Sequence, residues 1–172
     1  MQLADMPLVL QWRSSEFVSR FMISDVSHDL ATQEHWFNTV STRSDCHYWI
    51  VDSIQGHSIG VINLTNINEV TETAEWAFYV GDMNFANLGG MIPPYLYNHV
   101  FANTPINNLI AEVVAENKVV LKLHALHGYV EDIAKQTTFT KDGQTRILKS
   151  LRLDKAIWQS KKRFHKMTAT FE

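Results

Sequence analysis

The apolar positions run along the chain with a helical period, then with a strand period, and then in alternating blocks. In "DMPLVLQWRSSEFVSRFM" (5–22), Leu8, Leu10, Phe17, Val18, Phe21 and Met22 make an apolar face at roughly helical spacing. This predicts one helix, with Asp5 as its N-cap and Pro7 in its first turn. A second helix is predicted from Ser27 through "SHDLATQEHWFNTVSTR", where Leu30, His35, Trp36 and Val40 approach a common side. The pattern then changes. "HYWIVDSI" and "HSIGVINLTNI" are apolar and β-branched and meet at Gln55-Gly56, which reads as a hairpin. "ETAEWAFYVGD" is a third strand, ending at Gly81.

From Asn84 to Phe101 the chain begins with Asn and Gly and becomes helix-like. Pro93 and Pro94 fall early in it, and a first turn tolerates proline, so this helix is predicted to begin near Met91 or to be distorted there. "NNLIAEVVA" reads as the next strand, and Asn117 as the cap of a short helix that stops at Gly128, a left-handed terminator. Two closing strands flank Lys141-Asp142-Gly143, a good hairpin turn. No repeat, low-complexity stretch or linker divides the chain, which predicts a single domain over 1–172. The order is helix, helix, three antiparallel strands, helix, strand, helix, two strands. It specifies an α+β domain with a central mixed sheet covered by helices.

Composition narrows the functional classes. Hydrophobic content of 45% and charged content of 19% belong to a globular chain. A net charge of −3 argues against nucleic acid as a partner. The basic run Lys161-Lys162-Arg163-Phe164-His165-Lys166 reads as a solvated tail over 159–172, outside a core of about 1–158. Cys46 is the single cysteine, so no intrachain disulfide can form, and His47 beside it would point to the opposite face of a strand. No apolar run approaches membrane-spanning length and no signal peptide opens the chain, so a soluble, cytoplasmic protein with no membrane partner is expected.

Three joints in this order resemble the GNAT superfamily of N-acetyltransferases. "AEVVAEN…LHALHGY" looks like that superfamily's strand, Asn and helix ending in Gly-aromatic. "NFANLG" (84–89) stands where its phosphate-cradling loop precedes a helix, and "KDGQTRILKSL" resembles its closing hairpin. More narrowly, "LVLQWRSSEFVSRFM", "EHWF", "IGVINLTNI" and "AEWAFYVGD" look like the acetyltransferases of pseudaminic-acid biosynthesis, which act on the 4-amine of a UDP-linked amino-deoxy sugar.

The resemblance implies a GNAT fold, its sheet splayed after the fourth family strand, with about four flanking helices. It implies acetyl-CoA as co-substrate, no metal, and a nucleotide-sugar acceptor. The pantetheine arm would pair with the backbone of Phe78, Tyr79 and Val80. The pyrophosphate would rest on a loop of Asn84, Asn87, Leu88, Gly89 and Gly90, where Asn84 replaces a basic or long amide residue and Asn87 replaces a glycine. Asn is the best substitute for glycine in a left-handed conformation. Asn117 would bond to pantetheine. His124 stands where the family has a tyrosine acid, and with a reference pKa near 6.5 it can donate a proton in its protonated fraction. His127 lies three residues on, with no third ligand spaced to make a metal site.

Glu75 is the expected base, with His35 as another candidate. Arg13, Met22, Ile23, Trp36 and Trp76 are expected to contact the acceptor. Only Met1 to Ala4 precede Asp5, so the family's first strand is expected to be missing or truncated, leaving a sheet edge open to pairing in a homodimer. Two other readings fit the same resemblance: acetylation of a protein N-terminal amine, and a non-catalytic domain that binds acyl-CoA.

Overall fold

The computed structural model describes residues 1–172, and its seven-stranded sheet is built from strands spread between His47 and Asp154. The chain opens with a 3-10 turn, Leu3–Asp5, in which Asp5 Oδ2 accepts the Gln2 amide at 2.6 Å. Asp5 is thus spent on that turn and does not cap the helix that follows. The predicted first helix is also interrupted. α1 (Met6–Ser14) and α2 (Glu16–Ser19) are separated by Ser15 in an extended conformation (ψ 143°). Ser15 Oγ donates to the Trp12 carbonyl at 2.7 Å and accepts the Val18 amide at 3.4 Å, so a short hydroxyl ends one helix and caps the next. α3 (Leu30–Val40) begins later than predicted, because Asp29, not Ser27, caps it through the Thr32 amide at 2.9 Å.

β1 (His47–Asp52), β2 (Ser58–Asn68) and β3 (Thr73–Val80) form an antiparallel meander. α4 (Pro93–Asn103) starts at its two prolines, whose fixed φ suits a first turn. β4 (Asn108–Val114) lies parallel to β3, and α5 (Lys118–His127) follows, ending on Gly128 at φ +100° as predicted. β5 (Val130–Glu131) is a two-residue strand the sequence pattern did not show. β6 (Thr137–Lys141) and β7 (Gln144–Asp154) turn through Asp142 (φ 51°) and Gly143 (φ 71°), the pair of positive values a tight hairpin needs. The sheet order is β1-β2-β3-β4-β7, with β5 and β6 both on the outer edge of β7.

The sheet has two unlike faces. One carries the main core, where Leu64, Ala74, Trp76, Leu109, Ala111 and Leu153 pack against α4, α5 and Trp158 of α6 (Lys155–Gln159). The other carries a smaller cluster of Met6, Val9, Trp12 and Val61, with Trp36, Tyr48 and Tyr79 beside it. Four helices of nine or more residues, α1, α3, α4 and α5, flank the sheet. No strand precedes α1, and the Met1 amine instead donates to the Tyr48 carbonyl of β1 at 3.3 Å. No helix is long and apolar enough to cross a membrane.

The basic C-terminal run is not the solvated tail its charge suggested. Phe164 stacks on Trp158 (5.2 Å, 13°) and Phe171 stacks on His99 (4.1 Å, 24°). Asn98 of α4 secures both ends, accepting from Trp158 Nε1 and donating to the carbonyls of Phe164 and Met167, each at 2.8 Å. Aromatic residues among the lysines outweigh the solvation of charges that keep their heads in water.

Candidate active site

The parallel ladder between β3 and β4 holds three pairs, Thr73–Asn108, Ala74–Leu109 and Glu75–Ile110, and then stops. Beyond it the strands run on to Val80 and Val114 without pairing, so the sheet forks. The amides of Ala77 and Gly81 go to Asn63 Oδ1 (2.9 Å) and to the Ile59 carbonyl (2.8 Å), both on β2. Strand alternation therefore turns the backbone groups of Trp76, Phe78 and Val80 into the gap. Tyr79, expected among the pairing residues, has its backbone in the β2 ladder opposite Val61. On the far side the Ala115 amide bonds to Ile147 of β7 at 2.9 Å, which leaves the backbone of Glu112 facing the gap. Gly81, at the end of β3, is covered by the Trp12 ring, and a Cβ there would collide with it.

The loop after β3 departs from the expected cradle. Met83–Leu88 winds as a 3-10 helix capped by Asp82, whose Oδ1 accepts the Asn84 amide at 2.9 Å. Neither Asn84 nor Asn87 has a positive φ, so Asn87 does not stand in for a left-handed glycine. Gly90 and Ile92 keep amides with no partner within the chain, while Pro93 and Pro94 have none to offer. Gly89 gives its amide to Ala86 at 3.3 Å. The start of α4 thus presents fewer donors to an anion than an ordinary helix. Asn117 caps α5 through Oδ1 to the Val120 amide (3.3 Å), leaving its side-chain Nδ2 unused.

On the main-core face, His124 lies in an aromatic stack against Trp76 (5.6 Å, 24°) and Tyr129 (4.7 Å, 29°). Its Nδ1 is buried without a partner. Burial, and then the neighbouring His127, push its pKa down to about 4, so the ring is neutral at pH 7. The imidazolium expected to protonate a thiolate is present at only about one part in a thousand there. Trp76, expected to contact the acceptor, lies away from the α1 side. It is buried on the opposite face and its Nε1 donates to the Tyr129 hydroxyl at 2.6 Å.

The face toward α1 gathers a different set. Glu75 points there, its Oε2 accepting from Asn66 Nδ2 at 2.9 Å. Ile110 pairs with Glu75, so Glu112, one alternation on, shares that face at the fork. The Glu112 carboxyl is held above the usual carboxylate range, first by desolvation at the strand surface and then by the charge of Glu75. The sequence reading missed Glu112. Its signal was a lone acid in the apolar run "NLIAEVV". Arg13 Nη2 donates to the Ser24 carbonyl at 3.2 Å, and the Met22 carbonyl, two residues earlier, accepts from Lys141 Nζ at 3.0 Å. Trp36 packs edge-on to Tyr48 at 5.1 Å, and His35 is exposed on α3. No group of three or more metal-ligating side chains is present.

Residues 1–130 match the family model described as an acetyltransferase (GNAT) domain. The chain belongs to that family. Its fold is similar to a Vibrio cholerae spermidine N-acetyltransferase in complex with CoA and spermine, with a TM-score of 0.84 at 15% identity over 92% of this chain and 95% of that one. A dodecameric structure of spermidine N-acetyltransferase from the same organism gives 0.75 at 14% identity, over 94% of each chain. A complex of the spermidine/spermine enzyme with manganese ions gives 0.76 at 16%, over 94% and 93%. No curated protein matches the chain by sequence.

This acetyltransferase is therefore an acetyl-CoA-dependent N-acetyltransferase of the GNAT type. The gap fits that co-substrate: an extended pantetheine arm can pair with the free backbone groups of Phe78 and Val80, and the Gly90 and Ile92 amides can meet its phosphates.

Proposed function

We propose that this acetyltransferase acts on the primary amine of a small cationic molecule of the polyamine type, taken up on the α1 face of the fork. The observation that carries this reading is the pair Glu75 and Glu112. Two carboxylates beside the gap attract an ammonium group, and the one with the raised pKa is suited to take its proton. One proton passes from the ammonium to Glu112 and on to solvent. The freed lone pair attacks the thioester carbonyl, aided by backbone N–H groups in the fork. The C–S bond breaks, and the second nitrogen proton reaches the thiolate through water. His124, neutral and stacked on Trp76 on the opposite face, donates no proton in this step.

A second reading keeps the UDP-linked amino sugar as acceptor, because Arg13 Nε is buried without a partner near Tyr48 and Tyr79 and could meet a phosphate oxygen. Thiol release from acetyl-CoA, followed with spermidine, a UDP-4-amino-6-deoxy sugar and an N-terminal peptide in turn, decides between them. Turnover with spermidine alone supports the first reading, and turnover with the sugar alone replaces it. Acetyl-CoA binding without turnover on any of the three leaves a non-catalytic acyl-CoA-binding domain. We place the reaction in the cytoplasm. A homodimer through the open edge of β1 belongs to the same proposal and is read by sedimentation.

A further inference from the structure

One buried ammonium takes no part in this chemistry. Lys141, at the tip of the β6–β7 hairpin, is 7% exposed. Its Nζ donates to the carbonyls of Ser19 (2.9 Å) and Met22 (3.0 Å) and pairs with Asp25 Oδ1 at 2.8 Å. Three donors meet three acceptors, so the ammonium is saturated. From the same hairpin, Arg146 Nη1 donates to the Arg20 carbonyl at 3.3 Å. These carbonyls belong to the end of α2 and the segment after it, where a helix lacks its own donors and its dipole favours a cation. At the far end of that segment, Arg13 of α1 holds Ser24 by its carbonyl (3.2 Å) and its hydroxyl (3.4 Å).

The two anchors stand on different halves of the forked sheet. α1 packs on the β1–β3 half through Trp12 and Val61. The hairpin extends the β4–β7 half, where Leu148 of β7 faces Val114. Between the halves the ladder has only the three pairs that end at Glu75–Ile110. Residues 19–25 therefore bridge the fork. We propose that Lys141 is a positioning residue: it ties this strap across the fork and so sets the mouth through which the acceptor amine reaches Glu75 and Glu112. Lys141 touches no reacting atom. The proposal rests on the acceptor entering from the α1 face.

The test compares wild type, Lys141→Met and Lys141→Arg in the full chain. Hydrogen exchange at residues 19–25 needs no acceptor. It should quicken in K141M and return toward wild type in K141R, with acetyl-CoA affinity little changed. In turnover with spermidine, KM for the amine should rise about tenfold in K141M with kcat within about twofold, as expected for a lost charge-assisted anchor. Unchanged exchange at 19–25 overturns the strap. An unchanged amine KM, or an equal loss of kcat and acetyl-CoA affinity, overturns its positioning role. A wild type inert toward spermidine refutes the acceptor reading instead, and the exchange result then still decides the strap.

Discussion

Glu112 and His124 divide the chemistry unequally. Glu112→Gln keeps the size of the side chain and removes the proton acceptor, so kcat should fall about a hundredfold while KM for acetyl-CoA holds. His124→Phe keeps the stack on Trp76 and removes a ring already neutral at pH 7, so the loss should stay within about fivefold. Steady-state thiol release measures both. A collapse of H124F with an active E112Q would reverse these roles. The resemblance set His124 where the family has a tyrosine, yet its burial depends on Trp76, which lies far from it along the chain. Glu75 could be singled out because the family resemblance points to a carboxylate on its strand. Glu112 could not, because its strand and the splay were expected but the register that sets it on the same face as Glu75 was not.

Among the elements, turns with a demanding backbone were the most legible. Asp142-Gly143, Gly128 and the cap at Asn117 each follow from one residue's conformational preference. Ser15 was not legible, since the same hydroxyl is tolerated within a helix and its break depends on packing at either side. The loop before α4 is the weak element of the site: it carries no basic residue from Met83 to Ile92, and two prolines stand where amides would be. Asn84→Arg should tighten acetyl-CoA binding about threefold to tenfold by supplying a phosphate partner, with kcat unchanged. Calorimetric titration checks this, and an unchanged affinity would move the phosphates away from this loop.

For the whole molecule, two buried histidines couple stability to acidity. His124 and His127 both have pKa values lowered to about 4, chiefly by burial. Arg163 and Lys161 add to the effect at His127. An unfolded chain binds these protons below about pH 6.5 and the folded chain does not until about pH 4, so stability is lost as pH falls through that window. From pH 7 to pH 5 the loss should be about 2 kcal/mol per histidine, and His127→Phe should flatten the slope in urea titrations. A slope unaltered in that variant would reassign the effect. Asn98→Ala removes three hydrogen bonds joining α4 to the C-terminal segment and should cost about 2–3 kcal/mol without altering kcat, as thermal unfolding and turnover would show. The C-terminal segment was misread because charge density hid Phe164 and Phe171. β7, the last strand made, lies directly against β4 and supplies the outer wall of the fork. A chain that lacks β7 keeps β3 and α4, but β4 is then held only by its three pairs with β3. A truncation ahead of the closing hairpin should therefore abolish acetyl-CoA capture, because the fork has lost the strand that holds one of its two walls.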